Sequence, residues 1–292
     1  MFDYAQLDAL NAVVRTGSFE RAAAALSVTP SAVSQRIRQL EDRLGTVLVI
    51  RSQPALATEA GQRLLRHVEE VGLLEHVLAA DLKGLMPQQG PAKLRIAVNA
   101  DSLATWFIDA LAVTSGFLFE LSTDDQDHSA DWLKRGEVVA AVTAHPGPVQ
   151  GCESIALGSL RYLATANPDF AALHFGQGVS EGALRSTPAL TYDTKDRLQQ
   201  RWAQTVTGKR LTLPSHMLPS TRGFVDATLA GLGWGMNPEP LVRQHLAAGR
   251  LVVLGPDASL EVPLCWQFSR VTKAALAPLT AAVRAAAKRH LV

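Results

Sequence analysis

The sequence predicts an α/β protein in which a small helical unit precedes a larger domain of alternating strands and helices. In residues 18–40, small and apolar side chains are spaced for two short helices separated by a tight turn. After residue 91, short apolar segments alternate with helical ones, as in a parallel-sheet domain. With 292 residues, 47% of them hydrophobic, the chain is long enough for two or three domains with sizeable cores.

The N-terminal unit is predicted to contain three helices with clear start and stop signals. Residues 4–16 carry apolar side chains at helical spacing, and Gly17 is expected to end this helix. Ser18 is the expected N-cap of the second helix, and Thr29 that of the third. Gly45 is expected to end the third helix, so residues 18–45 form two helices that cross closely at a turn.

The third helix is predicted to enter the major groove of DNA, because it begins with polar side chains and continues with basic ones. Residues 15–66 contain eight arginines against four acids, which fits phosphate contact but is also compatible with an ordinary solvated surface. Arg38 has the same two interpretations, and Thr29 either caps the helix or touches a phosphate. The predicted base-edge contacts are Ser31, Ser34 and Gln35, and the predicted phosphate contacts are Thr29, Arg36, Arg38 and Arg51.

A β-wing and a long helix are predicted next. Residues 47–51 and 55–58 are expected to form two short strands, and Thr58 to cap a helix that continues to about residue 85. Apolar residues on this helix follow a heptad-like spacing that Glu75 interrupts. The stripe predicts either a dimer seam or packing against the helix's own domain. It consists of Leu64, Val68, Val71, Leu78, Leu82 and Leu85.

Residues 86–91 are predicted to be a hinge, and the rest of the chain to alternate between strands and helices. The predicted strands are 94–98, 117–122, 138–143, 161–166, 189–192, 210–213, 233–236 and 264–268. The predicted helices are 102–112, 129–135, 181–185, 195–203, 222–230, 238–245 and 274–290.

Several segments together resemble LysR-type transcriptional regulators over essentially the whole chain. The N-terminal segments are TPSAVSQRIRQLE at residues 29–41 and RS followed by ATEAGQRLL at residues 51–65. The C-terminal segments AVNADSLATWF, DDQDHSADWLKRGEVVAAVT, RYLATANPDF and GLGWGMNPE are similar to the lysine- and arginine-export regulators, also labelled inhibitors of replication initiation. The chain departs from many members in lacking a second basic residue in the wing after Arg51, which predicts weaker phosphate contact there.

The resemblance implies three parts: a winged helix-turn-helix over residues 1–58, a dimerisation helix with its hinge over 59–90, and an effector domain over 91–292. The effector domain is expected to resemble a two-lobed periplasmic binding protein. Lobe I would contain about residues 91–160 and 265–292, and lobe II about 161–264. The implied partners are a double-stranded DNA operator, RNA polymerase, and further copies of the chain in a homodimer that assembles to a tetramer.

The effector pocket is expected between the lobes, beyond the carboxyl ends of the parallel strands. Asp101 is predicted either to bind an α-ammonium group or simply to favour a helix N-terminus, and Ser102 to help hold a carboxylate. Acidic residues 124–127 suggest a cation such as lysine or arginine, with an exposed acidic turn as the alternative. The predicted effector-binding residues are Asn99, Asp101, Ser102, Asp125, Asp127, Thr143, Tyr192, Thr221 and Trp234.

Other function classes are disfavoured by what the sequence lacks. The glycines at 231, 233 and 235 do not have phosphate-loop spacing, and no nucleophile elbow or metal-ligand pattern is recognisable, so we expect no enzyme, metal or cofactor. A transport binding protein would need a signal peptide, which the first residues do not resemble. Two distant cysteines and no apolar run of membrane length predict a cytoplasmic protein. The sequence therefore predicts a regulator of an amino-acid exporter gene that responds to lysine, arginine or histidine, with a LysR-type regulator of unrelated effector as the alternative.

Overall fold

A computed structural model describes residues 2–82, 90–124, 132–134, 136–144 and 147–292. The head, defined as residues 2–58, contains three helices: α1 (Tyr4–Thr16), α2 (Phe19–Ala25) and α3 (Pro30–Leu44). Their ends follow the sequence signals, because the Oγ atoms of Ser18 and Thr29 accept the N–H groups of Arg21 and Ala32. Their apolar faces meet in one small core around Leu10, Val33, Ile37 and Leu40.

The wing is shorter than predicted and consists of the antiparallel strands β1 (Val49–Ile50) and β2 (Leu56–Ala57). It packs closely against the start of the next helix. A Cβ atom on Gly61 would lie 2.2 Å from the carbonyl oxygen of Leu48, so this contact requires glycine. The wing and the next helix are therefore fixed to each other by backbone contact.

The linker helix α4 (Glu59–Asp81) begins at Thr58, whose Oγ1 accepts the N–H of Gly61, as predicted. Two residues of the predicted stripe, Leu64 and Val68, pack against the core of the head. Farther along, Leu73 and Val77 pack against the large core of the C-terminal domain. The alternative of packing within the chain thus accounts for the first part of the stripe, whereas Leu78 is 54% exposed. Leu85 lies outside the described residues, and the dimer seam stays a prediction.

The C-terminal domain is built on a mixed seven-stranded sheet, in which the central path runs β10-β6-β11-β5-β3-β4 and β9 pairs with β6. Its strands are β3 (Ala92–Asn99), β4 (Phe117–Asp124), β5 (Ala140–Thr143), β6 (Cys152–Ala166), β9 (Gly235–Pro238), β10 (Val252–Val253) and β11 (Ser259–Ser269). The sequence pattern predicted a parallel sheet, but in the described part of this sheet β3 pairs parallel with β4 and β5, and the other pairs are antiparallel. The long strands β6 and β11 pair antiparallel over most of their length and join the two parts of the domain.

Lobe I, in the structure, contains β3 to β5 and the helical run after β3. This run comprises α5 (Ala100–Ser102), a π-helical turn (Leu103–Phe107) and α6 (Ile108–Ala112). The predicted helix over residues 129–135 is described only at 132–134. The C-terminal helix α12 (Ala277–His290) packs against the same lobe, through α6 and the π-helical turn.

Lobe II contains α7 (Pro168–Phe175), α8 (Glu181–Ser186), β7 (Ala189–Thr191), α9 (Leu198–Thr207), β8 (Ser215–Met217), α10 (Thr221–Leu229), β9, α11 (Glu239–Ala247) and β10. The strand predicted over residues 210–213 is wrong, because the strand lies later, in β8, where it pairs parallel with β7. Helix α7 was missed, although Asn167 is a good N-cap and Pro168 occupies its first position. The predicted boundaries of the three domains and two lobes stay predictions.

Candidate functional site

The start of α3 forms an exposed polar surface on the head. Thr29, Ser31, Gln35 and Arg38 are exposed, whereas Ser34 and Arg36 are partly covered. The buried residues of α3, which include Val33 and Ile37, face the opposite side of the helix. The surface therefore has the polarity and accessibility that a recognition helix in the major groove requires.

Three predicted phosphate contacts also interact with other residues of the head. The guanidinium group of Arg51 in the wing lies over the ring of Phe19, 5.1 Å from its centroid. The charge of Arg36 acts on Asp8, although burial dominates and raises the pKa of that carboxyl. Thr29 caps α3, and its Oγ1 lies 2.9 Å from the Oγ of Ser31. These contacts orient side chains on the exposed surface that begins at α3.

A cleft opens between the lobes at the carboxyl end of β3, where the topology of an open α/β sheet places ligands. Its cavity volume is about 60 Å³, and the cleft is partly open to solvent. Its described lining consists of Asn99, Ala100, Asp101, Tyr192, Asp196, Leu198, Thr221, Phe224, Met236 and Pro238. Two of these residues are acidic, and none of these ten is Lys, Arg or His.

Asp101 connects the two sides of the cleft. Its Oδ2 accepts a hydrogen bond of 2.7 Å from the hydroxyl of Tyr162, and its Oδ1 accepts one of 2.9 Å from Thr221. Thr221 is the first residue of α10 and lines the cleft, so the N-terminus of this helix borders the cleft. The site thus combines a lobe I carboxylate with lobe II hydroxyls and a helix N-terminus.

Asp196 is the cleft residue that the sequence interpretation missed. Its Oδ2 accepts the N–H of Tyr192 at 2.9 Å, and its Oδ1 accepts the N–H of Leu198 at 3.0 Å. Burial raises the pKa of its carboxyl, the two backbone donors counteract this effect, and the negative charge of Asp193 adds to it. The available signal was the acidic turn directly after β7, at the carboxyl end of a strand of lobe II.

Tyr192 lines the cleft close to both carboxylates, and its role in effector binding stays a prediction. Its backbone N–H binds Asp196, and its phenol has a raised pKa, first because of burial and then because of the charges of Asp101 and Asp193. Asn99 and Thr221 also line the cleft, as predicted.

Three other predicted effector residues lie elsewhere. The helix begins at Ala100 rather than at Ser102, so Ser102 is fully buried within the first turn. Thr143 is buried, and its Oγ1 accepts a hydrogen bond from Gln267. Trp234 is fully buried and stacks on Trp202, with ring centroids 4.9 Å apart. None of these three residues is in the described lining of the cleft, and Asp125 and Asp127 lie outside the described residues. The effector-binding roles of all five residues stay predictions.

The linker helix contacts lobe I through a row of polar side chains. Glu69 forms an ion pair with Arg95 of β3, and Glu70 accepts a hydrogen bond of 2.8 Å from Ser269 of β11. Arg66 donates to the carbonyl oxygen of Lys134 at 2.9 Å. The linker helix thus contacts β3 and β11, and the carboxyl end of β3 leads into the cleft.

No helix within the described residues has the length and apolar character needed to cross a membrane. Over the same residues, no three His, Cys, Asp or Glu side chains come together in an arrangement that could hold a metal ion.

A helix-turn-helix head, joined by a long helix to a two-lobed domain with a cleft between its lobes, defines a DNA-binding regulator with a small-molecule domain. Residues 4–62 match the bacterial regulatory helix-turn-helix protein, lysR family, and residues 88–290 match the LysR substrate binding domain. The chain therefore belongs to the LysR family of transcriptional regulators, which confirms the resemblance seen in the sequence.

Relatives named as transcriptional regulators match along nearly the full chain. The chain is 44% identical to the HTH-type transcriptional regulator ArgP of Pseudomonas fluorescens over 92% of its length and 91% of the relative's. The crystal structure of ArgP from Mycobacterium tuberculosis is 42% identical, with a TM-score of 0.88 and coverage of 100% and 99% of the two chains. Full-length LysG from Corynebacterium glutamicum, with bound effector Arg, is 39% identical, with a TM-score of 0.74 and coverage of 99% of each chain.

Proposed function

We propose that this LysR-family regulator binds a basic amino acid in the cleft between its lobes and controls transcription of an amino-acid exporter gene. The candidate effectors are lysine, arginine and histidine, acting as a coinducer rather than as a cofactor. The DNA would be bound in the cytoplasm by α3 and the wing of each head in a homodimer, which assembles to a tetramer and acts on RNA polymerase.

The observation that carries this proposal is the pair of carboxylates, Asp101 and Asp196, in a cleft lined by no basic side chain among its described residues. Carboxylates taken out of water need a compensating cation, and a basic amino acid supplies two ammonium-type groups. The N-terminus of α10 at Thr221 offers backbone N–H groups to the α-carboxylate. The arginine bound by the relative LysG and the names of the ArgP relatives support the same class of effector.

Signal transfer would be a shift between two arrangements of the lobes and the linker helix. An effector that binds the closed arrangement more tightly than the open one stabilises closure by that difference in affinity. Because α4 rests on β3 through Glu69 and Arg95, a movement of lobe I changes the position of the helix that carries the head. Effector binding and DNA binding must then bias each other equally.

The alternative is a LysR-type regulator with an unrelated small-molecule effector, such as a carboxylate or an aromatic acid. An anion of this kind needs Arg or Lys in its pocket, whereas the described lining of the cleft offers carboxylates. This electrostatic argument favours the basic amino acid.

The test is calorimetric binding of arginine, lysine, histidine and the neutral control norleucine to the full-length protein. We expect the cationic amino acids to bind and norleucine not to, and we expect Asp101→Asn to weaken cation binding by about tenfold or more. Asp226→Asn is the matched control, because Asp226 is an exposed acid on α10 and does not line the cleft. Binding of norleucine as tightly as lysine, or of none of the three cations, would reject the basic-amino-acid effector.

The exporter target needs a separate experiment. Transcripts are compared between cells with and without the gene for this protein, each grown with and without added arginine. We expect an exporter gene to be induced by arginine only where the regulator is present, and the protein to bind the DNA upstream of it. Induction of genes unrelated to amino-acid export would reject this part of the proposal and leave the effector assignment intact.

A further inference from the structure

Asp196 and Asp101 face the same cleft in two different surroundings. Asp101 lies among hydroxyls, since Tyr162 and Thr221 both donate to it, and next to the N-terminus of α10. Asp196 lies in the part of the chain that also supplies Leu198 to the lining. The polar end around Asp101 suits the α-ammonium and α-carboxylate groups that all amino acids share, so the end around Asp196 is left for what distinguishes one amino acid from another.

From this arrangement we infer that Asp196 is the specificity-determining residue, whose carboxylate binds the cationic end of the effector's side chain. The inference rests on the proposed function and deepens it. It separates the groups that bind the α-ammonium and α-carboxylate of the ligand from the group that binds its side chain. Neutral amino acids of the same length would then be rejected at Asp196 and not at Asp101.

The hydrogen bonds of Asp196 leave it able to accept a ligand. Its two carboxylate oxygens accept the backbone N–H groups of Tyr192 and Leu198, and the side-chain amide of Gln199 also acts on the carboxyl. Two carboxylate oxygens offer about four lone-pair sites, so one remains for a ligand donor. The two backbone bonds also hold the carboxylate in one orientation, so the side chain does not need to be ordered when the ligand arrives. A guanidinium or ammonium group donates to such a fixed acceptor with little further cost.

The electrostatic balance of Asp196 favours a ligand cation. Most of its environment is removed from water, and the neighbouring charge of Asp193 is negative as well. A partly buried carboxylate with backbone partners but an acid beside it is stabilised by an incoming positive charge. The hydrocarbon stem of the ligand would lie along the apolar lining, which includes Leu198, Phe224 and Met236.

The experiment compares arginine with its neutral isostere citrulline, by calorimetry on the full-length protein. We expect the wild type to prefer arginine by about tenfold or more, because citrulline offers no charge to Asp196. We expect Asp196→Asn to lose this preference while its affinity for citrulline changes little. The matched control is Asp226→Asn, since Asp226 is an exposed acid on α10 that is not part of the described lining of the cleft. This control should keep the preference for arginine.

A second variant decides the question if Asp196→Asn does not fold. Asp196→Glu keeps the charge and carries it one methylene farther into the cleft, so it should shift the preference from lysine toward the shorter ornithine. The assignment is overturned if Asp196→Asn keeps the preference for arginine over citrulline, or if Asp196→Glu leaves the ratio of lysine to ornithine unchanged. If the wild type binds no basic amino acid, the proposed function fails as well, and this result distinguishes the two failures.

Discussion

Glu69 of the linker helix and Arg95 of the first strand of lobe I form an ion pair in which both side chains are largely shielded from solvent. The Glu69 side chain is 25% exposed and that of Arg95 is 33% exposed. Burial raises the pKa of Glu69, and the charge of Arg95 and its hydrogen bond oppose this rise. The pair therefore joins the helix that carries the head to the lobe that carries Asp101, at the cost of a desolvated carboxylate.

The two partners of this pair should respond unequally to substitution. Arg95→Ala leaves a shielded carboxylate without its cation, and we expect it to lower the free energy of unfolding by about 1–2 kcal/mol, less than for a fully buried pair. Glu69→Gln removes the desolvated carboxylate and leaves Arg95, the more exposed partner, so it should lower the free energy of unfolding by less. Urea denaturation measures both. The exposed pair of Arg63 and Glu59 provides the control, since Arg63→Ala should change stability by no more than about 0.5 kcal/mol.

The raised pKa of Glu69 also predicts the direction of a pH effect. Between its ordinary value of 4.5 and its higher value in the folded protein, the folded chain holds a proton that the unfolded chain has released. The contribution of Glu69 to stability is therefore present at low pH and decreases as the pH rises through this window. The urea midpoint of the wild type, relative to that of Glu69→Gln, should therefore fall as the pH rises through this window. A difference that stays constant, or one that grows in favour of the wild type, would contradict the burial argument.

Two glycines of the same linker helix should respond in opposite directions to alanine. At Gly61 the new Cβ would lie 2.2 Å from the carbonyl oxygen of Leu48, so the helix or the wing must move, and we expect a loss of about 2–3 kcal/mol. At Gly72 nothing lies within 4 Å of the new Cβ, and the higher helix propensity of alanine should add about 0.5–1 kcal/mol. Thermal unfolding of the two variants tests this, and equal effects would mean that the close contact at the wing is absent.

The local structure of the head could be predicted from its sequence because its signals act over a few residues. Thr29 before Pro30 and Gly45 after Leu44 give α3 a capped start and a left-handed end, and both are present. The same reasoning located the cleft, since Asn99 ends a largely buried strand, Asp101 follows it, and both line the cleft at its carboxyl end.

Residues whose roles depend on distant partners could not be assigned in this way. Trp234 and Thr143 belong to the core because Trp202 and Gln267, far away along the chain, pack or bond against them. Asp196 follows a strand that the sequence predicted, but its place in the cleft depends on how the turn between β7 and α9 packs against lobe I, which the sequence of the turn does not encode. The direction of β6 and β11 is likewise a property of the whole sheet, and local patterns of alternation do not encode it.

At the exposed start of α3, recognition of the base sequence can be distinguished from electrostatic attraction to the phosphates. Gln35 and Arg38 are both exposed on this helix, but Gln35 lies nearer its N-terminal end, where base edges are contacted. Once a preferred duplex has been selected from random DNA, Gln35→Ala should weaken binding to it by about 1–3 kcal/mol and leave binding to a scrambled duplex unchanged. Arg38→Ala should weaken binding to both duplexes alike and reduce the salt dependence by about one ion. Fluorescence anisotropy at several salt concentrations measures both effects. If Gln35→Ala weakened both duplexes equally, base readout would have to be assigned to another residue of α3, with Ser31 and Ser34 the next to be substituted.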